Sequence, residues 1–144
     1  MTKESGFQLS GSAAEAYENV WIPSLMGKCA RDLVESVYIK SGDSVLDVGC
    51  GTGVVARIAA KIVGAGGKVV GTDVNETMID AAKRYAEKDK RSDIEWQVDD
   101  ATQMSFDDVT FDVVLCQQGL QFMPDKQAAM SEFFRVMRPG GRLA

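Results

Sequence analysis

The stretch VLDVGCGTGVVARIAAKI, Val45 to Ile62, places glycines at 49, 51 and 53 between a short apolar run and an amphipathic one. Ser44 to Val48 is too short for a helix and fits a buried strand, whereas Val55, Ile58, Ala59 and Ile62 recur at helical spacing. A strand, a glycine turn and a helix in that order bring main-chain N–H groups and a helix N-terminus close to whatever the turn holds. A tight strand-to-helix turn with no ligand also explains the glycines, so their surroundings matter. The spacing is G-x-G-x-G rather than the G-x-G-x-x-G of dinucleotide turns, and Asp47 stands two residues before the first glycine. An ionised acid there repels a pyrophosphate and attracts a cation, which favours a ligand with an ammonium group and no phosphate.

The strand and helix pattern then repeats. Lys68 to Thr72, Ile94 to Val98 and Phe111 to Cys116 read as strands. Asn75 can cap a helix through about Lys88 that turns Met78, Ile79, Ala82, Tyr85 and Ala86 inward, and a further helix spans Asp125 to Met137 after Pro124. Strands separated by helices imply an α/β fold: a Rossmann-like, doubly wound parallel sheet with helices on both faces. Residues 1–39 form a helical segment ahead of this core, which spans 40–144. In that segment the first ten or so residues are polar and loose, Ser12-Ala13-Ala14-Glu15 fits a capping box, and a second helix follows Pro23. At the other end, Arg138-Pro139-Gly140-Gly141 stops the last helix and Arg142-Leu143-Ala144 begins a fifth strand. The sheet is therefore expected to be incomplete, the chain being a fragment of a longer polypeptide or a naturally minimal version.

Composition narrows the partners. A net charge of −5, with acids spread along the chain and no basic stripe, argues against nucleic acid. The N-terminus lacks a signal-peptide core and no run approaches the roughly 18 apolar residues of a membrane span, so the expected location is cytoplasmic. Cys29, Cys50 and Cys116 are odd in number and widely spaced, which signals reduced thiols rather than a disulfide framework or zinc site. No cluster has metal-ligand spacing. The sequon Asn75-Glu76-Thr77 is expected to go unused in that compartment.

Two further acids fall at strand ends. Asp73, 24 positions after Gly49, can accept hydrogen bonds from both hydroxyls of a ribose, or simply cap the next helix. Val74 and Met78 follow where an apolar surface can cover a base, with core packing as the alternative for Met78. Asp100 and Ala101, after the third strand, offer a carboxylate and an N–H to an adenine edge; turn chemistry accounts for the same residues. Gln117 opens the polar loop that ends in Phe122 and can meet the ligand's polar tail.

Together LDVGCGTG, VVGTDVNETMIDAAKRYA, the Asp99-Asp100-Ala101 step and SFDDVTFDVVLCQQGLQFMPDKQAAMSEFFRVMRPGGRL resemble the class I S-adenosylmethionine-dependent methyltransferases. The last segment is similar to their ubiquinone/menaquinone-biosynthesis subgroup. The resemblance implies that S-adenosylmethionine is the cofactor, with Asp47 and the chain around Gly49, Cys50 and Gly51 at its methionine part, where Gln117 also sits. It places Asp73 at the ribose, Val74 and Met78 beside the adenine, and Asp100 with Ala101 at its edge. Tyr17 and Trp21 fall where such enzymes often carry a lid, although ordinary helix packing fits them too. The resemblance further implies sheet order 3-2-1-4 with the start of strand five. An exposed strand-four/five edge would then invite a homo-oligomer.

The implied reaction is in-line methyl transfer to a small-molecule acceptor, for which alignment rather than a covalent nucleophile is required. The sequence has no histidine, so any proton must be taken by an acid, a tyrosine or water, and no catalytic residue is singled out. Two other readings stay open from residues alone: a cofactor-binding or scaffold module without turnover, and a nicotinamide-dependent oxidoreductase.

Overall fold

The computed structural model describes residues 11–144, so the expectation for the first ten residues lies outside it. The same holds for the capping box, since the side chain of Ser12 is not among those described. Helix α1 (Gly11–Ala16) runs without a break into a π-helical segment (Tyr17–Met26) and then α2 (Gly27–Ser36). This corrects the expectation of two helices parted at Pro23, because the proline lies inside the π segment. Proline has no N–H to give and its ring collides with the carbonyl four residues back in an α-helix; the wider π winding moves that carbonyl aside. The Ser24 hydroxyl donates to the Val20 carbonyl at 2.6 Å, and the Gly27 N–H reaches back five residues to Ile22. A Cβ at position 27 would lie 2.7 Å from that same carbonyl oxygen, which is why the π segment closes on glycine.

The core follows as β1 (Ser44–Val48), α3 (Val54–Val63), β2 (Lys68–Asp73), α4 (Glu76–Lys88), β3 (Ile94–Val98), β4 (Phe111–Leu115), α5 (Lys126–Val136) and β5 (Met137–Leu143). The five strands form one sheet in the order β3-β2-β1-β4-β5, every neighbouring pair parallel. One face packs Val45, Val69 and Val113 on Val34 of α2 and Ala56, Ala59 and Val63 of α3. The opposite face packs Leu46, Val70, Phe111 and Val114 on Ala129, Phe133 and Val136 of α5. Asp125 caps α5, its Oδ1 accepting the Ala128 N–H at 2.9 Å, and Asn75 caps α4 through the Thr77 N–H.

The last strand differs from expectation. It begins at Met137 rather than Arg142, and Arg138 to Gly141 loop out as a bulge between the pairs Phe111–Met137 and Val113–Arg142. Pro139 cannot donate to a ladder and Gly140 has φ +77°, so this segment cannot follow the strand; the chain leaves and rejoins it. Arg138 to Asp112 (2.8 Å) and Arg142 to Asp43 (2.7 Å) hold the two sides of the excursion. With β5 formed, β4 is paired on both sides, and Phe111, Val113, Val114 and Leu115 are fully buried. The expected exposed apolar edge of strand four is therefore absent, and the outer edge on that side belongs to β5.

One aromatic sets the floor beneath the glycine loop. The Trp96 indole, from β3, crosses β2 so closely that a Cβ at Gly71 or at Gly53 would come within 2.4 Å of its ring. Both glycines thus make room for the ring, and Gly53, at φ +84°, also takes a left-handed conformation at the start of α3.

Candidate functional site

All five strands are parallel, so the β1 to β4 carboxyl ends share one side of the sheet, and the chain order reverses there between β1 and β4. A crevice forms at such a switch point. Here it is a cavity of about 1000 Å³. Its floor is Val48, Gly49 and Gly51; one side is Asp73, Val74, Asn75, Met78 and Asp99 to Thr102; the other is Gln117 to Gly119, Gln121 and Phe122 to Pro124. The π segment closes it with Tyr17, Trp21 and Met26.

The floor is backbone. Gly49 (φ +66°) and Gly51 (φ +54°) are left-handed, a conformation that side chains resist. The loop is tied down from three directions. The Cys50 N–H donates to the Thr72 carbonyl, the Gly53 N–H to the Cys50 carbonyl, and the Gly51 N–H to Asp73 Oδ2 at 3.0 Å.

Asp73 is the hub. Its other oxygen accepts the Asn75 N–H at 2.9 Å, and Asn75 rather than Asp73 caps α4. The cap alternative for Asp73 is thus taken over by its neighbour. Burial pushes the Asp73 carboxyl up from the usual carboxylate range, with the Asn75 and Gly51 N–H bonds opposing.

Of the residues singled out in the sequence, Gly49, Gly51, Asp73, Val74, Met78, Asp100, Ala101 and Gln117 line the one cavity. Asp47 and Cys50 do not. Asp47 is 1% exposed beneath the loop, and its Oδ2 accepts the Ala56 N–H of α3 at 3.1 Å. Desolvation raises its pKa to about 8, the Ala56 bond opposing and the Asp73 charge adding, so at neutral pH the ligand-free acid is largely protonated. An ionised Asp47 directly touching a cation, as the sequence suggested, is not what this geometry presents. Cys50 turns into the protein, where burial drives its thiol well above the ordinary range. Met78 serves both readings given to it, lining the cavity while packing against Ala14 and Ala81. Asp100 Oδ1 accepts the Thr102 N–H and hydroxyl, at 2.9 and 2.7 Å, so it shapes its turn at the cavity's rim.

Gln117 is held unusually. Its Nε2 donates to the Met26 carbonyl at 3.1 Å, while its Oε1 is buried with no partner among the described residues. A buried amide oxygen left without a donor is costly, and Gln117 stands on the cavity wall. Sequence reasoning missed Met26, Asn75 as a wall residue, Thr102, Met123 and Pro124. For Met26 the signal was hidden by the winding. Nine residues after Tyr17 is about two and a half α-helical turns, which places it on the opposite face. The π winding turns the same nine residues through about two turns and brings both to the cavity.

Residues 45–141 match the family described as a methyltransferase domain. The chain is 36% identical over 114 residues to a demethylmenaquinone methyltransferase of Lactobacillus johnsonii, covering 78% of this chain and 47% of that protein. It is 41% identical over 108 residues to the chloroplastic 2-phytyl-1,4-beta-naphthoquinone methyltransferase of Arabidopsis thaliana, covering 73% and 41%. This chain thus spans about half the length of the curated relatives it matches. Among solved structures, a putative methyltransferase from Bacillus halodurans superposes with a TM-score of 0.76 at 32% identity, over 81% of this chain and 49% of that one. A SAM dependent methyltransferase from Aquifex aeolicus shares the fold, with a TM-score of 0.79 at 24% identity over 91% and 69%. Among the described residues no helix is long and apolar enough to cross a membrane.

Proposed function

The chain belongs to the methyltransferase domain family, and from that premise we propose that it binds S-adenosylmethionine in the strand-end cavity and passes the methyl group to a small-molecule acceptor. The observation that carries this reading is the convergence on one cavity of the glycine loop, Asp73 and the Asp100–Ala101 turn, contributed by the ends of three successive strands. Similarity to the named quinone methyltransferases points to a quinone-type acceptor. Neither the nicotinamide reading nor the module without turnover gains support from these comparisons.

The residues fit such a cofactor. Each Asp73 oxygen already accepts one main-chain N–H, and a carboxylate oxygen has a second lone pair for a ribose hydroxyl. Val74 and Met78 give the adenine an apolar flank, and the Ala101 backbone with Asp100 gives its edge a donor and an acceptor. The orphaned Oε1 of Gln117 suits an ammonium or other N–H donor. That assigns to Gln117 and the loop the contact first expected of Asp47, which acts from beneath by its charge when ionised. A sulfonium methyl is the electrophile the cofactor supplies when bound.

This chain's own part is alignment, which is worth about 7–11 kcal/mol in favourable cases. The acceptor-side wall of Tyr17, Trp21, Met26, Phe122, Met123 and Pro124 carries no formal charge and suits a flat, apolar ring. Burial first, then the charges of Asp47 and Glu18, raises the Tyr17 pKa, so its hydroxyl remains protonated and free to act as a donor toward an acceptor molecule.

Calorimetric titration with S-adenosylhomocysteine tests the reading. The wild-type chain is expected to bind, and Asp73→Ala to lose at least tenfold in affinity. Failure of the wild type to bind refutes the cofactor; unchanged binding by Asp73→Ala refutes the ribose assignment. Incubating the chain with S-adenosylmethionine and a reduced naphthoquinone then tests transfer, and a chain that binds without methylating any such acceptor rejects the acceptor class.

A further inference from the structure

The π segment that closes the cavity is fastened to the glycine loop by one side chain. Glu18 Oε2 accepts the hydroxyl of Thr52, the residue between Gly51 and Gly53, at 2.6 Å. Its Oε1 accepts the Arg57 guanidinium of α3 at 2.5 Å. The two charged side chains are only 9% and 11% exposed, and Thr52 is fully buried. Arg57 is held independently by Asp89, just past the end of α4, at 3.6 Å and by the Tyr85 ring, 5.6 Å from its centroid. The anchor therefore belongs to the core, and Glu18 is what reaches for it.

Glu18 directly follows Tyr17 and lies three residues before Trp21, both on the cavity wall. The far end of the same segment is gripped by the Gln117 amide at the Met26 carbonyl. Without the Glu18 end, the wall would hang, among the described residues, from that hydrogen bond and from the flanking helices, α1 resting through Ala14 on α4 and α2 packing on the sheet. Trp21 is 53% exposed and Val20 60%, so apolar packing adds little to hold this stretch down.

We propose that Glu18 is a positioning residue: through Thr52 and Arg57 it seats the π segment on the glycine loop and couples occupancy of the loop to closure of the Tyr17–Trp21 wall. The coupling rests on the methyltransferase reading; the seating does not. Thr52 directly follows Gly51, which lines the cavity and is tied to Asp73 through its N–H, so a ligand that orders the loop also orders the Glu18 contact. The reciprocal holds by linkage: a seated wall raises affinity for the ligand on the loop.

Acrylamide quenching of Trp21 fluorescence tests this, with Trp21→Phe subtracted to remove the Trp96 signal. In the ligand-free chain, Glu18→Ala is expected to raise the Trp21 quenching constant at least twofold, whereas Glu18→Gln, which keeps the shape and an acceptor for Arg57 but meets Thr52 only as a donor, is expected to raise it by less. Saturation with S-adenosylhomocysteine should then protect Trp21 in wild type and not in Glu18→Ala, with affinity weakened three- to thirtyfold in Glu18→Ala and less than threefold in Glu18→Gln. A purely structural role would lower the melting temperature and leave the quenching of the folded protein unchanged; that result overturns the proposal. Should Glu18→Ala not fold, Thr52→Val removes one of the two bonds at constant shape, and an unchanged quenching constant there has the same meaning. If wild type takes up no S-adenosylhomocysteine, the methyltransferase reading and the coupling fall, and the ligand-free quenching still decides the seating.

Discussion

Replacing Asp47 by asparagine should make the ligand-free chain more tolerant of alkaline pH, by an amount the structure sets. Asp47 is 1% exposed, and its pKa is raised from 3.8 to about 8, foremost by burial. Between those values the folded state keeps a proton that the unfolded state has lost. Stability therefore falls as pH rises, by about 1.4 kcal/mol per pH unit. The contribution is fully present below about pH 4 and lost as pH climbs through about 8. From about pH 5.5 to 7.5 the loss is about 2.5 kcal/mol. Asparagine has no proton to lose. Its Oδ1 can still accept the Ala56 N–H, and burying its NH2 group without a partner costs about 1–3 kcal/mol at every pH. That constant cancels when the wild-type-minus-variant difference is compared between two pH values. Urea denaturation followed by circular dichroism at about pH 5.5 and 7.5 should thus show the variant gaining about 2–3 kcal/mol on wild type. In thermal melts the midpoint gap should move by about 6–10 °C for a chain of this size. A difference that stays within about 0.5 kcal/mol across the two pH values would mean that Asp47 is ionised in the folded state, and the argument from burial would fail.

Other consequences are local. Gly71→Ala places a Cβ 2.4 Å from the Trp96 ring and should destabilise by about 1–3 kcal/mol in urea melts; pairing it with Trp96→Leu should recover part of that loss, and strict additivity would show that the ring does not crowd Gly71. Asp125→Ala removes the exposed α5 cap and should cost about 1 kcal/mol without altering S-adenosylhomocysteine affinity, so a large affinity change would place α5 closer to the site than the structure does. Asp73→Ala should weaken S-adenosylhomocysteine at least tenfold by calorimetry, and Glu18→Ala should loosen the Trp21 wall by quenching, as set out above.

Much of this molecule was legible as a pattern. Strand positions, the α4 cap at Asn75 and the parallel order followed from apolar periodicity and turn chemistry, because a buried strand between two helices has few other ways to satisfy its backbone. The residues at strand ends were legible for a related reason: in a parallel sheet every strand delivers its carboxyl end to the same side, so Asp73, Asp100 and Gln117 had to meet. The π segment was not legible, since periodicity assumes a winding and Pro23 suggested a break where the helix instead widened. Nor was β5, where Pro139 and Gly140 signal a turn and only the partner strand shows that Met137 is already paired.

The sequence by itself determined β1 to β4 and the helices of the core, that the strands would be parallel, and which strand-end residues would share a crevice, because alternation, length and glycine placement act over a few neighbouring residues. Only the tertiary structure decided that Asp47 lies under the loop instead of on its surface, that Trp96 requires the glycines at 53 and 71, and that Glu18 reaches Thr52 and Arg57. Those facts depend on desolvation and contact between residues distant in the chain, and neither is fixed until the sheet and its helices have packed.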